Sequence, residues 1–138
     1  MNREAGVELV LPARPESLTI VRQALSGLAD VDGWTSAFLT DAKIAVSEAC
    51  SNVVVHAYPN GTDGTLRVMM TAEHDGLLVL VRDQGVGIAP RVHDRSAGLG
   101  LGLPLIAALT DEVRMRRTHD GHTEVTMLFT VRSGNDAQ

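Results

Sequence analysis

The chain predicts an α/β fold, a two-layer sandwich in which a mixed, mostly antiparallel sheet carries its helices on one face. Three observations lead there. Apolar residues recur at helical spacing around 18–28 and again over 41–57. Several short runs either alternate apolar with polar residues or are apolar throughout, as strands do. The resulting order is strand, two helices, two strands, a glycine-rich stretch, a helix and two strands, with no internal repeat and no second domain. The 138 residues therefore form one domain, long enough for a real core and too short for two ordinary ones.

The run at 7–11 is rich in β-formers and stops at Pro12, which makes it an edge strand. Pro15 suits the first turn of the helix that follows, where Leu18, Val21, Leu25 and Leu28 line one side; Gly27 weakens its end. Residues 30–33 make a turn, 34–39 lead onward, and Thr40 is placed to cap a central helix over 41–57. On that helix Ala42, Val46, Ala49, Val53 and Ala57 gather on one side, while Asp41, Glu48, Asn52 and His56 fall on another line. Glu48 and Asn52 are four apart and so are neighbours, with Ile44 and Val55 beside them. Two readings fit: the mixed margin of an ordinary amphipathic helix, or a polar stripe lining a pocket, in which a carboxylate activates a nucleophile and an amide oxygen holds a hard cation.

A loop over 58–64 follows. Leu66, Val68, Met70 and Ala72 then alternate with polar or larger residues in a half-buried strand, and the turn His74-Asp75-Gly76 returns the chain through the more apolar run 77–83. That second strand belongs in the sheet centre. The stretch 85–102 holds five glycines and is too long for a mere connection. A helix runs from Leu103 through Leu109 with Pro104 in its first turn. Of the last two strands, one contains Val113 and Met115; along the other, across the turn at 119–122, Thr123, Val125, Met127, Phe129 and Val131 alternate. The tail at 133–138 is small and polar, as disordered ends are.

Composition narrows the classes. A content of 44% hydrophobic and 21% charged residues is that of a soluble globular protein, and no apolar run approaches the ~20 residues that span a bilayer. With no secretory pattern at its start, the sequence predicts a cytoplasmic protein that does not engage a membrane. A net charge of −5 argues against direct nucleic-acid binding through phosphate neutralisation. Arg114, Arg116 and Arg117 cluster, but in a strand, where a solvated face accounts for them. The lone Cys50 excludes an internal disulfide and reads as a small buried hydrophobe. His93, His119 and His122 lack the partners of a zinc site and read as surface residues, with His56 at a pocket rim.

Asp83 ends its strand on the face of Val79 and Val81, so a carboxylate stands on the core side where the chain leaves the sheet. Buried alone it would be costly. Either a backbone donor satisfies it, as in a tight turn before Gly85, or a ligand does, and the exocyclic amine of adenine would suit. Gly98, Gly100 and Gly102 precede a helix, whose free amides and dipole attract phosphate. There is no Gly-Lys-Ser/Thr, and the cluster Gly85-Val86-Gly87 lacks the third glycine of a dinucleotide fingerprint.

Taken in order, Glu48 and Asn52 on a helix, Asp83-x-Gly85-x-Gly87 after a strand, Gly98-x-Gly100-x-Gly102 before a helix, and Gly121-x-Thr123 opening a strand resemble the four nucleotide-binding boxes of the GHKL ATPase superfamily. Within it, the short length, the segment SEACSNVVVHAY and the intact Glu48 resemble the anti-sigma factor serine/threonine kinases of the SpoIIAB/RsbW type, over about 7–131.

The resemblance implies a Bergerat-type ATP-binding fold with Glu48 as general base toward a serine hydroxyl and Asn52 as Mg²⁺ ligand. Asp83 would bind adenine above Gly85 and Gly87, Thr123 would bring a hydroxyl near the base, and Gly98, Gly100 and Gly102 would lie by the phosphates. Arg95 resembles the basic lid residue that reaches the terminal phosphate, at a spacing one residue longer than the family pattern. The segment 88–97 would be a lid, ordered by ATP. The implied partners are a sigma factor and a STAS-domain anti-anti-sigma factor. Arg22 would be a partner contact, and the apolar residues of the first helix a homodimer surface. Two alternatives stay open: a nucleotide switch without kinase activity, and the catalytic domain of a histidine kinase, which the lack of a phosphoacceptor helix disfavours.

Overall fold

Alternation in the strand sequences decides which side of the sheet is covered. The computed structural model describes residues 5–56, 64–73, 75–83 and 99–130, with the backbone alone for 99–102. Its elements are β1 (Ala5–Pro12), α1 (Ser17–Asp32), α2 (Ser36–His56), β2 (Thr65–Glu73), β3 (Gly76–Asp83), α3 (Leu99–Leu109), β4 (Glu112–Arg117) and β5 (Thr123–Thr130). The strands form one sheet in the order β1-β2-β3-β5-β4, and every pairing is antiparallel, the limiting case of the mostly antiparallel sheet expected. The apolar run of β3 takes the centre, where Val79 lies between Met70 of β2 and Met127 of β5. Leu66, Val68, Met70, Leu77, Val79, Val81, Met127 and Phe129 point to one side and are buried there, under the helices. Glu8, Met69, Leu78 and Arg82 point to the other side.

The chain enters α1 through a tight turn in which the Ser17 hydroxyl donates to the Pro12 carbonyl at 2.6 Å. Val21, Leu25 and Leu28 are buried in the molecule's own core, so that of the large apolar residues of α1 Ile20 and Val31 are the ones left exposed where the sequence predicts a dimer surface. The helix runs on to Asp32, and Gly33, in the left-handed region at φ 70°, ends it by donating its N–H to Ala29 O at 2.8 Å.

The central helix starts at Ser36, five residues before the expected 41, and Thr40 lies inside it instead of capping it. Its first turn is held by Thr35, whose hydroxyl accepts the Phe38 N–H at 3.1 Å. Aromatic packing supplies the rest: Trp34 meets Phe38 edge-on with centroids 4.9 Å apart, and Phe38 meets Phe129 at 6.0 Å. The expected stripe of Ala42, Val46, Ala49 and Val53 is buried, joined by Ala45 and Cys50. Alanine at three of these positions lets the helix lie close on the sheet.

α3 also starts before its expected 103, at Leu99, so Pro104 falls beyond the first turn and leaves the Gly100 carbonyl without its usual i+4 donor. Ile106 anchors the helix in the core. β4 is an exposed edge, as its arginines imply. The loop at 58–63, the stretch 84–98, Ala57, His74, Val131 and the tail at 133–138 lie outside the described residues, and with them the expectations for Gly85, Gly87, His93, Arg95 and Gly98.

Candidate functional site

The site builds from the ends of three elements on the helix-covered side of the sheet. α2 packs over β3 and alongside α3. From α2, Glu48 is half-buried and Asn52 is only 8% exposed. Among the described residues the Asn52 side-chain nitrogen has no hydrogen-bond partner, which leaves a buried donor unmet. Ile44 and Val55, expected beside that pair, are exposed. His56 is half-buried at the helix end.

Asp83 is the sharpest feature. It is wholly buried at the last position of β3. One carboxylate oxygen, Oδ2, accepts the backbone N–H of Thr123 at 2.8 Å, and the other, Oδ1, has no partner among the described residues. The sequence left a choice between a backbone donor and a ligand. The structure supplies the donor, from the neighbouring strand instead of a local turn, and still leaves an acceptor free. An unsatisfied buried acceptor costs roughly 1–3 kcal/mol, which a ligand donor would recover.

The turn before β5 sets that contact. Thr118 N–H donates to His122 O at 2.8 Å, Gly121 N–H to Thr118 O at 3.0 Å, and His122 N–H to the Thr118 hydroxyl at 3.1 Å. Gly121 has φ +86°, so glycine is required for the backbone and not for space, since a Cβ there would touch nothing within 4 Å. The contact of Thr123 with Asp83 is through its backbone amide, which holds the carboxylate.

Gly100 and Gly102 lie in the first turns of α3, beside α2. The structure therefore brings Asp83 to Thr123, and α3 with its two glycines to the helix that bears Glu48 and Asn52. Sequence reasoning missed one contact: Arg22 Nε on α1 donates to Ser47 Oγ on α2 at 2.9 Å, next to Glu48. No spacing signal joins residues so far apart. Cys50 is not a nucleophile here, because burial pushes its thiol up to about 12 and Arg22 offsets this only in part.

The histidine kinase-like ATPase domain family matches residues 11–129. The chain is 39% identical over 132 residues to the serine-protein kinase RsbW of Bacillus licheniformis, covering 84% of this chain and 81% of that protein. To the RsbW of Bacillus subtilis it is 37% identical over 142 residues, covering 94% and 86%. Among solved structures, the RsbU and RsbW domains of a Mycobacterium tuberculosis protein superpose with a TM-score of 0.72 at 23% identity, over 94% of this chain and 33% of that one. The SiaB-SiaC complex from Pseudomonas aeruginosa gives 0.59 at 15% identity, over 91% and 89%. At such identities the two structures speak for the fold alone. A match across nearly the whole length, joined to relatives above a third identical, settles the lineage: the chain belongs to the histidine kinase-like ATPase domain family, alongside the RsbW serine-protein kinases.

Proposed function

We propose that this chain is an ATP-dependent protein serine/threonine kinase and anti-sigma factor, which binds a sigma factor and phosphorylates a serine of a STAS-domain anti-anti-sigma partner. The observation that carries the nucleotide half is Asp83, buried, with one oxygen held and the other free. Its Oδ1 accepts the exocyclic amine of adenine, a pairing that a keto purine cannot make. Gly85 and Gly87 let the backbone pass close to the base, and Gly98, Gly100 and Gly102 offer amides to the phosphates. Arg95 reaches the terminal phosphate.

Glu48 accepts the proton of the substrate serine as its oxygen attacks the terminal phosphorus of ATP; the new P–O bond forms as the bond to ADP breaks. The Asn52 amide oxygen, on a buried side chain whose nitrogen is unpartnered among the described residues, would hold a Mg²⁺ ion, which would supply charge neutralisation at the phosphates. The relatives named serine-protein kinase support the reaction class.

Residues 1–138 act as a single domain in this reading, with the family match over 11–129 behind it. Among the described residues no helix is long and apolar enough to cross a membrane. Cytoplasmic placement without direct nucleic-acid or membrane contact is part of the proposal, the net charge of −5 arguing against the nucleic acid. We assign homodimerisation to the uncovered face of the sheet, where Val10, Met69 and Leu78 stay exposed.

Incubation with Mg·ATP and STAS-domain proteins, followed by detection of phosphoserine, tests the kinase. Transfer that Glu48→Gln abolishes while ATP still binds is the expected result. Binding without transfer by the unaltered chain would leave the nucleotide switch instead.

A further inference from the structure

Arg82 precedes Asp83, and strand alternation turns it to the opposite face of the sheet. Arg82, Arg116 and Glu124 of that face, with Arg117, His119 and Asp120 at its rim, line a cavity of about 300 Å³. Arg82 and Arg116 share two carboxylates there. Arg116 Nε donates to Glu124 at 3.0 Å, a good ion pair with a carboxylate that is itself buried. Arg82 fares worse. Its side chain is only 24% exposed, yet the nearest oxygens of Glu124 and Asp120 stand 3.6 Å away, outside hydrogen-bond reach. Its one directed contact is to His122 Nδ1 at 3.3 Å, and its Nε has no partner among the described residues.

A guanidinium brings five donors in a fixed fork, and withdrawing it from water without acceptors is unfavourable. Arg82 thus holds two long ion pairs, at 3.6 Å each, while its buried Nε stays unmet among the described residues. The Asp120 side chain, 63% exposed, keeps its hydration and does not close the gap.

We propose that this outer cavity binds a small tetrahedral oxyanion of the phosphate type, received by the forked donors of Arg82 and by Arg116. Arg82, Arg116 and Glu124 sit on the sheet face opposite Asp83, and the cavity shares no side chain with the groups assigned to the nucleotide. Glu124 orients Arg116 and limits affinity by its own charge. Asp120 guards the mouth.

Inorganic phosphate at constant ionic strength is the probe, followed on the full chain by backbone-amide NMR. Saturable shifts at residues 116–124 are expected. Arg82→Gln should weaken binding about tenfold or more, by loss of charge-assisted bonds. Asp120→Asn, an exposed turn substitution that leaves packing alone, should tighten it roughly twofold to fivefold by removing a repelling charge. This second variant decides the matter even if Arg82→Gln does not fold. Shifts confined to 98–102, a linear unsaturated response, or an affinity that Asp120→Asn leaves unchanged or weakens would each overturn the site.

Discussion

At Cys50 the protein has placed a thiol where ionisation is costly, pushed up to about 12 from an ordinary 9.0 by burial. Below pH 9 both folded and unfolded chains keep the proton and the residue contributes no slope. Between about 9 and 12 the unfolded chain loses the proton while the folded one holds it. Stability therefore falls with rising pH, at up to about 1.4 kcal/mol per unit. Denaturant titrations across that range should show the decline, and Cys50→Ala should flatten it. For the same reason the native thiol should resist alkylation at pH 8 until the protein is unfolded. Asn52 is different: it is buried, and its side-chain nitrogen has no hydrogen-bond partner among the described residues. Asn52→Ala should keep nucleotide binding in the absence of metal but abolish the gain on adding Mg²⁺, as calorimetry with and without the ion will show. At this scale much could be read beforehand. Glu48 and Asn52 were visible because four residues make one helical turn, and Asp83 because an acid at a strand end needs a reason. The cavity around Arg82 and Arg116 was not, since those residues meet only through the register of β3, β5 and β4.

Elements in this chain are placed by tertiary contacts as much as by their own signals. α2 gains a turn and more at its start because Trp34, Phe38 and Phe129 pack together, a contact no local window contains. Thr35 then serves as the cap, and Thr35→Ala should cost about 1 kcal/mol in denaturant unfolding with the fold unchanged. The turn before β5 is a stricter case. Gly121→Ala has room for its methyl but not the φ for it, and should cost about 1–2 kcal/mol. Because that turn delivers the Thr123 amide to Asp83, the same change should weaken adenine-nucleotide binding, whereas Thr35→Ala should not. Strand boundaries were easier to read, since alternation marks them one residue at a time. Helix starts were not.

On the scale of the molecule, helices cover one face of the sheet and leave the other to solvent and partners. Val10, Met69 and Leu78 lie exposed on that open face, on β1, β2 and β3. In the proposed dimer, Met69→Glu should shift sedimentation toward monomer without lowering the melting temperature of the fold. The sandwich itself was legible from element order, and the antiparallel pairing from the two hairpins. What the sequence could not supply was that α1 spends its apolar stripe inside the molecule, because periodicity reports a buried side without saying what buries it. The central claim is that the free oxygen of Asp83 reads adenine. Calorimetric titration of ADP against IDP, whose keto oxygen replaces the exocyclic amine, tests it directly on the unaltered protein and on Asp83→Asn. ADP should bind the unaltered chain at least about tenfold tighter, and the preference should vanish in the variant. Equal affinities for the two nucleotides in the unaltered protein, or a preference that survives in Asp83→Asn, would contradict the account.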